Sequence, residues 1–427
     1  MSKLALLGGK RIRSQPFPAY ANIGEAEKKA VNRVMDRGVL SKYLGAWGED
    51  FYGGEEVQAL EREFSDYAGI KYSVAVNSNS SGLLTALGAC GVGYGDEVLV
   101  TPYSMSISAS APLVWNATPV FVDIDNNHFC ISPAEIKRKI TKNTKAIIIV
   151  HLFGCPADLD EIRKIAKENN IYVIEDCAQA PGATYKDKPV GTLGDIGVFS
   201  LNYHKHIHAG EGGVCVTNRE RLATKMQLIR NHAEAVVEDK GETDLVNMIG
   251  FNFRLTELQA AIAREQLKKL RPEVELRQKY AKIYDAALGQ FDFMGTTKIQ
   301  DRTHAYYLQA FQYDAAKTAV PRERFLQAVR AELAPVKKRE KEGVPVYGGY
   351  IKPLYMLPMF QKKLAYKNSF PFTGNENYGK GSCPIAEDMY YTKLWYHDFT
   401  RSPLGDSDIQ DVVDAYTKVC ENINEIK

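Results

Sequence analysis

The sequence predicts an α/β protein: a large domain on a mostly parallel, seven-stranded sheet flanked by helices, then a smaller α+β C-terminal domain. Three observations predict it. Between Lys71 and Thr217, short β-rich runs alternate with helical stretches, the rhythm of strands joined by crossover helices. Several runs, residues 146–150 among them, are unbroken apolar strings, as strands covered on both faces require. From about residue 291 onward the pattern changes to mixed elements rich in Tyr, Pro and Gly.

Strands are expected at 72–76, 97–100, 119–122, 145–151, 171–175, 198–201 and 214–217. Between them, 132–140 reads as a helix with Ser132 as N-cap, Pro133 at the first helical position and Glu135 closing a capping box. Residues 159–168 read as another. Further on, 256–270 carries Leu258, Ile262 and Leu270 on one face, and Pro272 is expected to end it. A charged helix from 272 to about 288 would then connect to the second domain. The expected division is an N-terminal arm at 1–30, a large domain at 31–271 and a smaller domain at 272–427. Residues 341–358 are expected to form an ordered, irregular loop whose aromatics suit a pocket wall or plain packing.

Composition excludes several classes. With 54 basic and 52 acidic residues the formal net charge is +2, and the basic residues are scattered. Neither a nucleic-acid surface nor an anionic membrane is an expected partner. The seven cysteines are odd in number, widely spaced and without a CxxC, so a disulfide framework and a zinc ribbon are both disfavoured. A reducing cytoplasm is expected. The first residues hold too short an apolar stretch for a signal peptide, and no run approaches the ~18 apolar residues of a membrane span.

Three segments carry chemistry. In the run from Gly194 to Gly213, Lys205 follows a buried strand and precedes the Gly-rich turn Gly210-Glu211-Gly212-Gly213. Such a lysine sits at the rim of the sheet, where ligands of α/β proteins collect. His204, His206 and His208 alternate around it; a strand would put them on one face and Lys205 on the other. No carboxylate or cysteine completes a metal shell there, so no metal is expected. In the second segment, Glu175 and Asp176 end a buried strand; paired acids can bind a metal, act as acid and base, or cap a helix. In the third, Asn77-Ser78-Asn79-Ser80-Ser81 passes from a strand into a helix. That is a phosphate cradle of helix-terminal N–H groups and hydroxyls, or a plain Ser N-cap. Together the three strand ends offer a lysine, an acid and a phosphate cradle, the set that pyridoxal 5'-phosphate needs.

The same residues carry a family likeness. Leu60-Glu61-Arg62-Glu63-Phe64, Gly95-Asp96-Glu97-Val98, Pro119-Val120-Phe121-Val122-Asp123, Val150-His151-Leu152-Phe153-Gly154, Gly210-Glu211-Gly212-Gly213 and Cys383-Pro384-Ile385-Ala386-Glu387 resemble the DegT/DnrJ/StrS sugar aminotransferases. That family belongs to the fold-type-I pyridoxal-phosphate enzymes. The resemblance implies that Lys205 is the Schiff-base lysine and proton shuttle. It implies that Asp176 pairs with the cofactor's ring nitrogen and that Gln179 lies near the ring hydroxyl. It gives Ser200 and the backbone amides of Asn79 and Ser80 to the phosphate. Asn252 would reach the phosphate of a neighbouring subunit, which implies an obligate homodimer with shared active sites. The sequence departs from the family at Asn79, where glycine is usual, and at Ser106, where an aromatic normally stacks on the ring; Tyr103 is a candidate stand-in. Pro181 and the pair Tyr203-His204 are further departures.

The implied reaction is a ping-pong transfer of an amino group from glutamate or glutamine to a keto-sugar, nucleotide-linked, for polysaccharide or antibiotic synthesis. The N-terminal Leu7-Gly8-Gly9-Lys10-Arg11-Ile12-Arg13 resembles the branch acting on keto-cyclitols such as scyllo-inosose; a small phosphorylated ketone is a third acceptor. Rival readings are a sugar dehydratase, in which histidine replaces the lysine, and a non-catalytic sensor. A dinucleotide oxidoreductase is excluded because no GxGxxG follows the first βα strand.

Overall fold

The computed structural model describes residues 3–374 and 376–427; residues 1 and 2 of the expected arm lie outside them. The main sheet has seven strands: β1 (Tyr72–Val76), β2 (Glu97–Val100), β3 (Thr118–Phe121), β4 (Thr144–Val150), β5 (Tyr172–Asp176), β6 (Ile196–Ser200) and β7 (Gly213–Thr217). Their order is β1-β7-β6-β5-β4-β2-β3. All run in one direction except β7, which is antiparallel to both β1 and β6. The loop from 201 to 212 contains no crossover helix, so β7 returns beside β6 as a hairpin partner. Residues 146–150 of β4 are buried throughout, as a strand covered on both faces must be.

Helices α1 (Glu25–Arg37), α2 (Glu55–Ala68), α3 (Asn79–Ala89), α4 (Ile107–Val114), α5 (Pro133–Lys139), α6 (Leu159–Glu168) and α7 (Glu220–Arg230) accompany the sheet. α3 lies flat on it because Gly82 has no side chain: a Cβ there would meet Val198 Cγ1 at 2.6 Å and Cys215 Sγ at 3.1 Å. α5 starts after Ser132 with Pro133 in its first turn, but the expected capping box is absent. Glu135 bonds Arg138 instead, an exposed partner within reach one turn on.

Pro272 does not end a helix. α8 runs unbroken from Glu257 to Leu288 with Pro272 inside it. A proline removes the bond to the carbonyl four residues back, here that of Lys268. Both Lys268 and Pro272 are exposed, so water can serve that carbonyl. The opposite face holds the helix together: Leu270 and Val274 are buried in the core of the main sheet, while Tyr280, Tyr284 and Leu288 are buried in a second core.

The second core lies under a four-stranded antiparallel sheet. Its order is Met294–Thr296, Gln309–Tyr313, Leu394–His397, Val346–Gly348. Residues 346–348 correct the expectation that 341–358 is loop throughout; three residues too short to show a period form an edge strand there. Leu4 and Phe17 are buried in this second core, and Phe17 N–H donates to Pro335 O at 3.0 Å. Among the described residues, no helix is long and apolar enough to cross a membrane. All seven cysteines are buried and free.

One half-buried acid on α8, Asp285, makes stability pH-dependent. Burial raises the Asp285 carboxyl from 3.8 to about 6, against a hydrogen bond from Gln309 Nε2. A group raised on folding favours the protonated form, so its contribution is complete below the unfolded value and is lost as pH rises through about 6. Asp285→Asn is therefore expected to raise the melting temperature at pH 8, by up to ~2 kcal/mol of stability after allowance for partial exposure. At pH 4 it should change little. Thermal unfolding at the two pH values checks this.

Candidate active site

The sheet brings four backbone ends to one edge. Val76 at the end of β1 pairs with Gly213 at the start of β7, and Gly213 also pairs with Ser200 at the end of β6. On the other side of β6, Val198 pairs with Asp176 at the end of β5. The expected phosphate cradle, phosphate-binding serine and acid are thus neighbours in space.

α3 opens at this edge. Ser78 is its N-cap: its Oγ accepts from Ser81 N–H at 3.0 Å, and its own N–H donates to Ser81 Oγ at 3.1 Å. This reciprocal box serves the third helical N–H. The N–H groups of Asn79 and Ser80, at the first two positions, have no acceptor within the helix, and an anion fits there. Ser80 is exposed and Asn79 half-buried. The approach of β7 to this turn needs Gly213, where a Cβ would lie 2.7 Å from Ser78 O and 2.8 Å from Asn79 N. Ser200 is buried, its Oγ accepting from Asn202 N–H at 3.3 Å.

The two adjacent acids diverge, as side chains on a strand must. Glu175 is wholly buried on the far face and saturated. It accepts from His151 Nε2 at 2.9 Å and from the N–H groups of Gly191 and Leu193, each at 2.8 Å, and of Gly194. Burial opposes its charge, but the bonds from His151 and the backbone outweigh it and hold the carboxyl below its usual range. His151 Nδ1 accepts from Ala157 N–H at 3.2 Å, which assigns the ring proton to Nε2. Among the described residues, the one cluster with metal-ligand spacing is His151, Glu175 and Cys177. Its carboxylate is already spent on four donors, and the cluster is structural. Glu175→Ala strands those donors in the interior and is expected to cost ~3–5 kcal/mol; chemical denaturation measures it.

Asp176 faces the site edge and is buried. Its Oδ1 accepts from Ala178 N–H at 3.0 Å and from Asn79 Nδ2 at 3.2 Å. Burial raises its pKa, and the Ala178 N–H, the Lys205 charge and Asn79 oppose the rise. Gln179 is also buried. Its Oε1 accepts from Phe153 N–H at 2.7 Å, and its Nε2 donates to Tyr350 Oη at 3.2 Å.

Lys205 stands on the β6–β7 hairpin loop, half-buried, with Nζ 4.1 Å from the centroid of the Tyr307 ring. The loop is closed by bonds from Leu201 N–H to Gly212 O at 2.9 Å and from Tyr203 N–H to Gly210 O at 3.0 Å. It is a set of turns, so the alternation of His204, His206 and His208 does not place them on one face of a strand. The turn bonds internally, and Lys205 N–H donates to Asn202 O at 2.9 Å. His206 is buried with Nε2 donating to Ala305 O at 2.8 Å. Burial and the nearby Arg277 hold its pKa well below the usual value, so it is a neutral anchor for the loop.

Tyr103 is wholly buried, with Oη accepting from Tyr350 N–H at 2.8 Å. Its ring is spent on the core, and it does not stand in for an aromatic at Ser106. Asn252 is exposed. Its Oδ1 accepts from Arg254 Nε at 2.8 Å and its carbonyl from Asn77 Nδ2 at 3.3 Å, so its backbone adjoins the α3 turn. Sequence reasoning missed Tyr307 and Tyr350. Both come from the second half of the chain, and their partners Lys205 and Gln179 lie more than a hundred residues away; no local spacing marks them.

The profile of the DegT/DnrJ/EryC1/StrS aminotransferase family matches residues 23–416. An L-glutamine:2-deoxy-scyllo-inosose aminotransferase of Micromonospora echinospora is 34% identical, covering 100% of both chains. The spore coat polysaccharide biosynthesis protein SpsC of Bacillus subtilis (strain 168) is 32% identical over 92% of this chain and 94% of its own. Among solved structures, the aminotransferase from Psychrobacter cryohalolentis superposes with a TM-score of 0.80 at 31% identity, covering 96% of this chain and 100% of that one.

Proposed function

The chain belongs to the DegT/DnrJ/EryC1/StrS aminotransferase family, and from that premise we propose that it moves an amino group from glutamine or glutamate to the ring ketone of a keto-sugar or keto-cyclitol. Pyridoxal phosphate would be held between Lys205 and Asp176. The observation that carries the reading is the meeting of a loop lysine, a buried acid and a helix start at one sheet edge. When bound, the cofactor supplies the electron sink and the site that carries the amino group between the two substrates.

The chain's own residues have separate tasks. The free N–H groups of Asn79 and Ser80, with the Ser200 hydroxyl, grip the phosphate. Asp176 holds a proton on the ring nitrogen through its carboxylate. Gln179, fixed by Phe153 N–H and Tyr350, would meet the ring hydroxyl. Lys205 moves the proton at the substrate carbon that bears nitrogen; the Tyr307 ring against its amine keeps it aimed inward. Asn252 would complete the phosphate site of a second copy in a homodimer. Its exposure, and the apolar Leu245, Val246 and Ile249 exposed just before it, support that reading. The all-thiol cysteine set supports a reducing cytoplasm.

The full-length likeness to an enzyme named for glutamine and 2-deoxy-scyllo-inosose favours glutamine as donor and a cyclitol as acceptor. The likeness to a polysaccharide biosynthesis protein favours a sugar. Incubation with glutamine labelled with nitrogen-15 at the α-amino group, and a panel of inososes and nucleotide-linked keto-sugars, separates them. Mass spectrometry should find one labelled amino product on one ketone class. Absence of label on every ketone would remove the reading.

A further inference from the structure

Resting on the cofactor site proposed above, we infer that the Asn79 side chain is a positioning residue for Asp176. Asn79 is the first residue of α3, and its N–H is one of the two free donors of the cradle. Its side chain turns the other way. Nδ2 lies 3.2 Å from Asp176 Oδ1 and 3.3 Å from Val198 O, so the carbonyl of β6 braces the amide while it donates to the carboxylate.

Ala178 N–H reaches the same oxygen, Oδ1, at 3.0 Å. Both donors therefore converge on one oxygen. Among the described residues, Oδ2 has no hydrogen-bond partner, and Asp176 is buried. The terminal torsion of an aspartate is soft; two donors on Oδ1 fix it and leave Oδ2 presented for one incoming N–H. A protonated pyridine nitrogen is such a donor. The amide also favours the charged carboxylate against the burial that opposes it. Gly213 is part of the device: it lets the turn at Asn79 sit on the strand ends, where a Cβ would lie 2.8 Å from Asn79 N. One residue thus links the phosphate grip, through its backbone, to the ring-nitrogen partner, through its side chain. A glycine at this position has the first function and not the second.

Cofactor binding to the purified apoprotein, measured by equilibrium titration and not by turnover, tests this. Asn79→Ala keeps the backbone N–H and removes the side chain. It is expected to weaken binding of pyridoxal phosphate ~10-fold, the size of one hydrogen bond to a charged group. It should leave unchanged the binding of an analogue whose ring nitrogen is replaced by CH. In an Asp176→Ala background, Asn79→Ala should be silent, since its partner is gone. Equal losses for both cofactors, or additive losses in the double variant, would make Asn79 a phosphate-site or folding residue and overturn the inference. If wild type binds the cofactor and Asn79→Ala binds it equally well, only this inference falls. If wild type binds none, the reading of the site falls with it.

Discussion

Lys205→Ala is expected to lower amino transfer at least ~10⁴-fold while leaving the fold in place. On the proposed reading the loss is large because two tasks end together: the amine that would hold the cofactor and the base that would move the proton are the same atom. The fold survives because, among the described residues, Nζ makes no ion pair, and its contact with the Tyr307 ring face, at 4.1 Å, is worth ~1 kcal/mol at a partly exposed site. The loop itself is closed by backbone bonds and by His206 on Ala305 O, none of which the substitution removes. An added primary amine such as ethylamine should restore part of the proton transfer, as small bases do when a positioned base is deleted. Steady-state rates with and without the amine, beside thermal unfolding, check both halves. A variant that keeps its rate would transfer the base role to another group.

Asp176→Asn is expected to cost ~10³-fold in rate, the scale of losing a buried, preorganised charge partner. The shape is kept and the charge is lost. Stability should move the other way. Burial raises the Asp176 pKa in the cofactor-free protein, so its ionised form opposes folding at neutral pH. A group raised on folding contributes below its unfolded value and loses that contribution as pH rises. Apo Asp176→Asn should therefore unfold at a temperature no lower than wild type at pH 8, and its activity should fall at every pH. Denaturation of the apoprotein and kinetics of the reconstituted enzyme read the two effects separately. A joint loss of fold and rate would make Asp176 a structural acid like its neighbour Glu175.

That pair also marks where sequence reading stops. The period of a strand says that Glu175 and Asp176 point oppositely, but not which one faces solvent or ligand. Their partners decide it, and all but the Ala178 N–H lie far off in sequence, at 151, 191, 193, 194 and 79. β1 and β2 begin and end where the local signals place them, because turn residues and apolar runs bound them on both sides. β6 starts two residues before its apolar signal, since Ile196 and Gly197 pair with Ile174 and Glu175 across the sheet. Pro272 misleads because propensity is local, while the two cores that clamp α8 are not. Asn79 stood out in the sequence as a departure from its family's glycine. Only the fold gives its amide a partner.

The most direct measurement is an absorption spectrum of the purified, cofactor-loaded wild type, before and after stoichiometric L-glutamine without any keto acceptor. The expected result is a visible band that depends on Lys205, bleaches on addition of glutamine or glutamate, and returns when the keto acceptor is added. A protein that carries no such band after reconstitution does not hold pyridoxal phosphate on Lys205, and the proposed function falls. A band that no amino acid bleaches contradicts the transfer reaction and leaves a cofactor-binding dehydratase or sensor in its place.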